Sequence, residues 1–348
     1  MKPEIIPEIL FLKQEDVIKA GLLDMGMVLE ETEKAFKAQG EGKVIQPPKL
    51  KLGMPDDDNW ESFGNSMPAY INGEDEEVCG FKWAAEAVHN PEMEGVPYGI
   101  DIVILANPKT MFPKAILDGT ITTAMRTSAT AGVFAKYLAS KESKVAALIG
   151  AGVIGRTMIM AIAASVPSLE EIRIVDLDLA KAEALAAEFA EGGLYKVAPK
   201  VVPYCSTDEA IVNADVIVTE TTARKPFIKA EQLKKNATCI QMEREAFEEA
   251  VVLNADILAV DSYEQLLHHA GIIQTLDAEG KVTKDDAWEL KDVVTGKYPG
   301  RTSEDQLVYC KTMGMGMVDI MIANKLYHQA KDMGLGTELT LWDMPLWV

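Results

Sequence analysis

Beyond about residue 120 the chain settles into short, almost wholly apolar runs separated by longer amphipathic ones. The short runs are VAALIG (145–150), EIRIVD (171–176), ADVIVTE (214–220), ATCIQM (237–242) and ADILAVD (255–261). Each has strand length, and helical spacing fills the gaps between at least the first three, notably in LAKAEALAAEFA over 179–190. Strands apolar on both faces and alternating with helices predict a parallel sheet covered on both sides. A helix over 121–138 leads into this series. The first third has another texture. Apolar positions near helical spacing (Val17, Ile18, Met27, Val28, Ala35, Phe36) are broken around Gly21, so residues 1 to about 40 read as helical. A polar, turn-rich stretch follows, in which Pro47, Pro48, Pro55 and Pro68 exclude a long helix. Residues 80–85 and 100–106 then read as strands, and Asn107-Pro108 closes the second. This part reads as a separate substrate or assembly domain. Residues 302–336 read as helix, glycine-rich turn and long helix. The fold class is therefore α/β: a Rossmann-type doubly wound parallel sheet plus a second, α+β domain.

Composition narrows the partners. The 348 residues carry 34 basic and 54 acidic side chains, a formal charge of −20. Such a surface repels nucleic acid and anionic membranes, and the densest basic groups, Lys49/Lys51 and Arg224/Lys225, are only pairs. No nucleic acid or membrane partner is expected. Cys79, Cys205, Cys239 and Cys310 are widely spaced, with no CxxC, so neither a zinc site nor a disulfide framework is supported. Scattered thiols, and a start without the basic and apolar regions of a signal peptide, point to the cytoplasm. Residues 145–166 are apolar, but Arg156 and three glycines make them a buried strand-turn-helix rather than a membrane span.

Gly150-Ala151-Gly152-Val153-Ile154-Gly155 follows a predicted strand and opens a predicted helix. The first glycine permits the tight turn, the second lets backbone approach a pyrophosphate, and the third lets helix pack on strand. A diphosphate there meets the unpaired N–H groups of a helix amino end. Asp176 ends the next strand, where a carboxylate can accept from the adenosine ribose hydroxyls and repel a 2′-phosphate. NAD is the expected cofactor.

With these motifs in place the sequence resembles the ornithine cyclodeaminase/mu-crystallin family. The resemblance rests on GFKWAAEAVHNPE (80–92), ILANPKTMFPKAILDGTITTAMRTSATAG (104–132), the glycine turn, ADVIVTETTARKPFI (214–228) and VVTGKYPGRTSEDQLVYCKTMGMGMVDIMIANKLY (293–327). It implies a substrate and dimerisation domain built from residues 1–120 and 320–348, an NAD-binding domain over 121–319, and a homodimer. It also implies chemistry at the Cα–N bond of a small, basic L-amino acid, of the cyclodeaminase type first, with a dehydrogenase or imine reductase and then a non-catalytic dinucleotide binder as alternatives. In a cyclodeaminase a hydride leaves Cα, an imine forms, the side-chain amine cyclises with loss of ammonia, and the hydride returns. Amino-acid dehydrogenases and imine reductases of the family stop earlier, and crystallin-like members bind dinucleotide without catalysis.

The resemblance assigns Lys82 as the proton-transfer residue and Arg126 as the grip on the α-carboxylate, with Met67 beside the substrate. A desolvated lysine can lose its proton, and a guanidinium offers a carboxylate two parallel donors. Thr127 is implied at the cofactor phosphates, Thr221 and Thr312 along the cofactor, and Asp319 at the domain junction. Two departures stand out. Where relatives have an arginine in a QPxR-like segment, this chain has Gln46-Pro47-Pro48-Lys49. Lysine keeps the charge but loses the fork. Cyclodeaminases also place an acid in a GGD-type turn after the strand that here reads ATCIQM. This chain continues Met242-Glu243-Arg244-Glu245, where Glu245 is the best positional match and Glu243 the runner-up. His89 reads as a turn cap, and His268-His269 as helical neighbours pointing apart, so no metal site is expected.

Overall fold

The computed structural model describes residues 8–54, 62–269 and 271–347; residues 1–7 and Pro55, which entered the expectations above, lie outside these. The chain forms two compact units, residues 1–126 with 315–348 and residues 127–314. The division falls after Arg126, within a helix, and before Met315, where 120/121 and 319/320 were expected.

The first unit is built on a mixed eight-stranded sheet. Its strands are β1 (Glu8–Leu12), β2 (Val44–Ile45), β3 (Leu50–Gly53), β4 (Ser62–Asn72), β5 (Glu77–Ala87), β6 (Gly99–Ala106), β7 (Pro113–Asp118) and a C-terminal strand, Thr337–Thr340. The order runs from Thr337–Thr340 through β1, β7, β6, β5 and β4 to β2, with β3 also on β4; only β1 and β7 pair in parallel. Helix α1 (Met25–Gly40) and the C-terminal helix Gly316–Asp332 pack together, and the latter lies on β4, β5 and β6. Alternation along the strands turns Met67, Ala69, Ile71, Val78, Val103, Leu105, Ala115 and Leu117 inward. The other face is apolar and open. Phe11, Ile116, Ile104 and Phe81 form one row across it, Ile102, Trp83 and Leu50 a second.

Two expectations for this unit need correction. The opening stretch holds strand β1 before its helices, because Ile9 and Leu12 are needed in the core. The helical pattern does break at Gly21, whose φ of +106° is the left-handed region that glycine tolerates best. The turn-rich stretch contains the eleven-residue strand β4. Pro68 is tolerated there because β2 ends opposite Tyr70 and β3 begins opposite Ser66, so it falls between two short partners on that edge.

The second unit is a parallel sheet of β8 (Val145–Ile149), β9 (Glu171–Val175), β10 (Lys200–Tyr204), β11 (Val216–Thr219), β12 (Thr238–Gln241), β13 (Ile257–Val260), β14 (Ala287–Glu289) and β15 (Val308–Lys311). Their order is 10-9-8-11-12-15-13-14, all parallel. Helix α2 (Thr120–Leu138) leads in; α3 (Val153–Ser165) and α4 (Leu179–Glu188) follow β8 and β9. The architecture is thus a Rossmann-like parallel sheet and a second, mixed-sheet unit. Residues 308–311 are a central strand, not the helix expected: Val308, Tyr309 and Cys310 are fully buried between β12 and β13. Residues 145–166 are β8, a turn and α3. Among the described residues no helix is long and apolar enough to cross a membrane.

Candidate active site

In the first unit, buried charge concentrates where β5, β6, α2 and the C-terminal helix meet. Lys82, on β5, is 0% exposed. Its Nζ lies 2.9 Å from Asp319 Oδ1 and 3.8 Å from Asp101 Oδ2, and donates to Thr123 Oγ1 at 3.1 Å. Arg126 Nε donates to the same Asp319 oxygen at 3.1 Å. Asp319 Oδ2 is buried without a hydrogen-bond partner. Burial first, and the Arg126 guanidinium second, push the Lys82 amine below the usual lysine range; Asp319 and Asp101 oppose them. Burial pushes the Asp101 carboxyl up. A lysine so placed can exist as an amine and take up a proton, which a solvated lysine at neutral pH cannot.

Met67 pairs with Lys82 across β4 and β5 and is buried, and its backbone meets the start of the C-terminal helix, where a Cβ on Gly316 would fall 2.8 Å from the Met67 carbonyl oxygen. Gln46 reaches the same helix start, its Oε1 accepting from Met317 N at 2.8 Å. Lys49 follows it, half-buried in the loop between β2 and β3.

The second unit reverses strand order between β8 and β11, the position where open α/β sheets take ligands. Gly150 closes β8 with φ +123°, and a Cβ there would lie 2.1 Å from the Glu220 carbonyl oxygen. A Cβ on Gly155 would lie 2.1 Å from the Gly150 carbonyl oxygen. Both positions are closed to any side chain. Gly152 differs: nothing lies within 4 Å of its Cβ position, and it caps α3 with no side-chain bond. The first N–H groups of α3, on Val153 and Ile154, therefore face an open cradle that fits a diphosphate. Asp176 holds the turn, accepting from Ala151 N at 3.1 Å and Asp178 N at 3.0 Å. Its carboxylate keeps lone pairs for ribose hydroxyls. The residues present fit a dinucleotide.

Thr127 lies in the interior of α2, not at a helix start, so only its hydroxyl is available to a phosphate. Its neighbour Ser128 ties α2 to α3 through Thr157 Oγ1 at 2.7 Å. Thr221, just past β11, accepts from Ala223 N at 3.2 Å. Thr312 is buried and donates to Asp261 Oδ2 at 2.6 Å, and that oxygen also accepts from Met313 N and Gly314 N. The methionine-glycine turn is thus organised by Asp261. After β12, Gln241 Nε2 donates to the Glu243 and Arg244 carbonyls, at 3.2 and 2.8 Å, shaping the short turn in place of glycines. Of the two acids there, Glu243 is the one with both carboxylate oxygens buried. Burial pushes its carboxyl up, opposed by hydrogen bonds from its own backbone and the Thr219 hydroxyl and then by the buried Lys311. Glu245 is half-buried on the same turn.

The model of the ornithine cyclodeaminase/mu-crystallin family matches residues 8–334. The chain belongs to this family. It is accordingly a nicotinamide-dinucleotide-dependent enzyme of that family. It is 30% identical to alanine dehydrogenase of Archaeoglobus fulgidus, over 95% of this chain and 98% of that one. It is 28% identical to N-((2S)-2-amino-2-carboxyethyl)-L-glutamate dehydrogenase of Staphylococcus aureus, over 96% and 99%. Among solved structures, Δ1-pyrroline-2-carboxylate reductase of Thermococcus litoralis, in complex with NADH and L-proline, superposes with a TM-score of 0.86 at 30% identity, covering 95% of this chain and all of that one.

The structure thus gathers Lys82, Arg126 and Met67 in one unit and the glycine turn with Asp176 in the other. Sequence reasoning missed Asp101, Thr123, Gln241 and Asp261. Asp101 carried a signal: it is the one charged residue in the otherwise apolar run IDIVILA, and a buried carboxylate needs partners. Thr123 carried none.

Proposed function

We propose that this enzyme moves a hydride between NAD and the Cα of an L-amino acid or its imine, as an amino-acid dehydrogenase or imine reductase. The observation that carries the reading is the 0%-exposed Lys82 held at 2.9 Å on a carboxylate that also fixes Arg126. Arg126, oriented through its Nε, binds the substrate α-carboxylate, with Lys49 adding a second positive charge. Lys82 takes the proton from the substrate ammonium, because only an unprotonated nitrogen can expel hydride from Cα. In reduction it returns that proton. When bound, NAD supplies the hydride acceptor and NADH the donor. Thr127, Thr221 and Thr312 complete the cofactor contacts, and the Asp176 carboxylate favours NAD over NADP by repelling a 2′-phosphate. The dehydrogenase and reductase relatives, each matched over nearly their whole length, support this choice.

A second reading, cyclodeaminase action on a basic amino acid, is favoured by one observation: the buried Glu243 carboxyl, whose charge a distal amine would balance. Glu243 takes this role in preference to Glu245. The apolar open face of the first unit's sheet pairs with a second copy to form the homodimer. The four free thiols fit a reducing cytoplasm. Incubation with NAD and L-alanine, L-proline, L-ornithine, L-lysine or N-(2-amino-2-carboxyethyl)-L-glutamate separates the readings. NADH accumulating with the oxidised product supports the dehydrogenase, and ammonia released without net NADH supports the cyclodeaminase. Neither product from any of the five contradicts both.

A further inference from the structure

A base that is fully buried must exchange its proton with solvent through other groups at every turnover. Two carboxylates face the Lys82 amine. Asp319, on the C-terminal helix, takes both Lys82 and Arg126 through one oxygen, is itself 0% exposed, and has no partner at its second oxygen. It anchors the cations and leads no further. Asp101, on β6, leads outward.

Hydrogen bonds connect Lys82 to Asp101 through Thr123. Lys82 Nζ donates to Thr123 Oγ1 at 3.1 Å, and the Thr123 hydroxyl donates to Asp101 Oδ2. The acceptor is held still: Asp101 Oδ1 accepts from Ala85 N at 3.1 Å, and Asp101 N donates to Thr120 Oγ1 at 3.1 Å. Lys82, Ala84 and Glu86 alternate on one face of β5, and Asp101 lies opposite Ala84, so Glu86 is one diagonal step from Asp101. Glu86 is half-buried and bonds the Tyr98 hydroxyl, and Tyr98 is 39% exposed.

We propose that Thr123 and Asp101 form a proton relay that takes the proton from Lys82 Nζ and returns it, on the face of β5 and β6 that leads toward Glu86 and Tyr98. The inference rests on the reading of Lys82 as the base. In the outward step an Nζ–H bond breaks as its proton passes to Thr123 Oγ1, while the Thr123 hydroxyl proton passes to Asp101 Oδ2. Ammonium and carboxylate become amine and carboxylic acid, with no net change of charge. The charged groups facing Lys82 are Arg126 from α2, Asp319 from the C-terminal helix and Asp101 from β6. Burial and Arg126 push the lysine down, while burial pushes Asp101 and Glu86 up. A neutral pair is thereby brought within reach of the ion pair. Thr123 and Asp101 act through Lys82 and are positioning residues.

The test compares Thr123→Val, Thr123→Ser, Asp101→Asn and Lys82→Met in the full-length enzyme. The substrate is whichever of L-alanine, L-proline and L-ornithine turns over fastest with NAD. Thr123→Val keeps the shape and removes the hydroxyl, so kcat should fall at least ~10-fold, a fraction of what general acid–base catalysis supplies. KM and NAD affinity should stay near native, and the solvent deuterium isotope effect on kcat should rise. Thr123→Ser should restore most of the rate. Asp101→Asn should lower kcat likewise and alter the pH profile. Native kcat and pH profile in Thr123→Val, with Lys82→Met inactive, overturn the relay alone. Equal impairment of the valine and serine variants also overturns it, because packing is then the cause. Native turnover in Lys82→Met overturns the base, and the relay with it.

Discussion

Asp319 binds two cations through a single oxygen, and that economy decides how the site titrates. Its charge favours the ammonium form of Lys82, so Asp319→Asn should lower the lysine pKa further. Activity in the oxidative direction rises with pH as Lys82 loses its proton, so the rising limb of kcat/KM should move to lower pH. A limb that stays in place or moves up would remove Asp319 from control of this base. Arg126→Lys keeps the charge but loses the planar fork, and should weaken substrate capture by ~1.5–3 kcal/mol, roughly 10- to 150-fold in KM, with NAD affinity unchanged. Substrate titrations beside NAD binding by fluorescence would show this, and an unmoved KM would exclude Arg126 from the carboxylate site. Lys82 and Arg126 were legible from their motifs. Asp101 was legible only as a buried carboxylate and Thr123 not at all, since their partners depend on register between strands and on a helix laid across them, which spacing along the chain does not encode.

At the scale of elements, the β8–α3 turn separates two uses of glycine. A Cβ at Gly155 would collide with backbone at 2.1 Å, whereas at Gly152 it meets nothing within 4 Å. Gly155→Ala should therefore lower both thermal stability and dinucleotide affinity. Gly152→Ala should leave the melting temperature near native and still cost NAD affinity, because its methyl group occupies the cradle. Equal effects of the two variants on stability would contradict this division. The parallel strands β8, β11, β12 and β13 were legible because burial on both faces makes them almost continuous apolar runs, and β9 because its Ile172, Ile174 and Val175 are buried between polar positions. Strand β15 was hidden: only four residues long, it follows TSEDQ, whose serine and acids imitate a helix start. Strand β4 was hidden by its glycine, asparagine and proline, which suit an irregular partner arrangement rather than a regular strand.

For the whole molecule, the open face of the first unit's sheet is the feature the isolated chain leaves unexplained. Ile100 and Ile102 are 47% and 42% exposed on a central strand, with Leu50 and Leu52 more so on β3. A monomer seldom leaves so contiguous an apolar patch in water. On the proposal that this face pairs with a second copy, the native protein should sediment as a dimer and Ile102→Lys as a monomer, since an unpaired buried charge costs several kcal/mol. Persistence of the dimer would move the interface elsewhere. The central claim, that Lys82 frees a substrate nitrogen so that hydride leaves Cα, has a direct measurement. The amino acid that turns over is supplied with deuterium at Cα, and the label is followed by mass spectrometry in the native enzyme and in Lys82→Met. The account predicts deuterium on the reduced nicotinamide, at a rate lowered ~10²–10⁴-fold in the variant while NAD still binds. Label that washes into solvent instead, or transfer at a native rate in Lys82→Met, would contradict it.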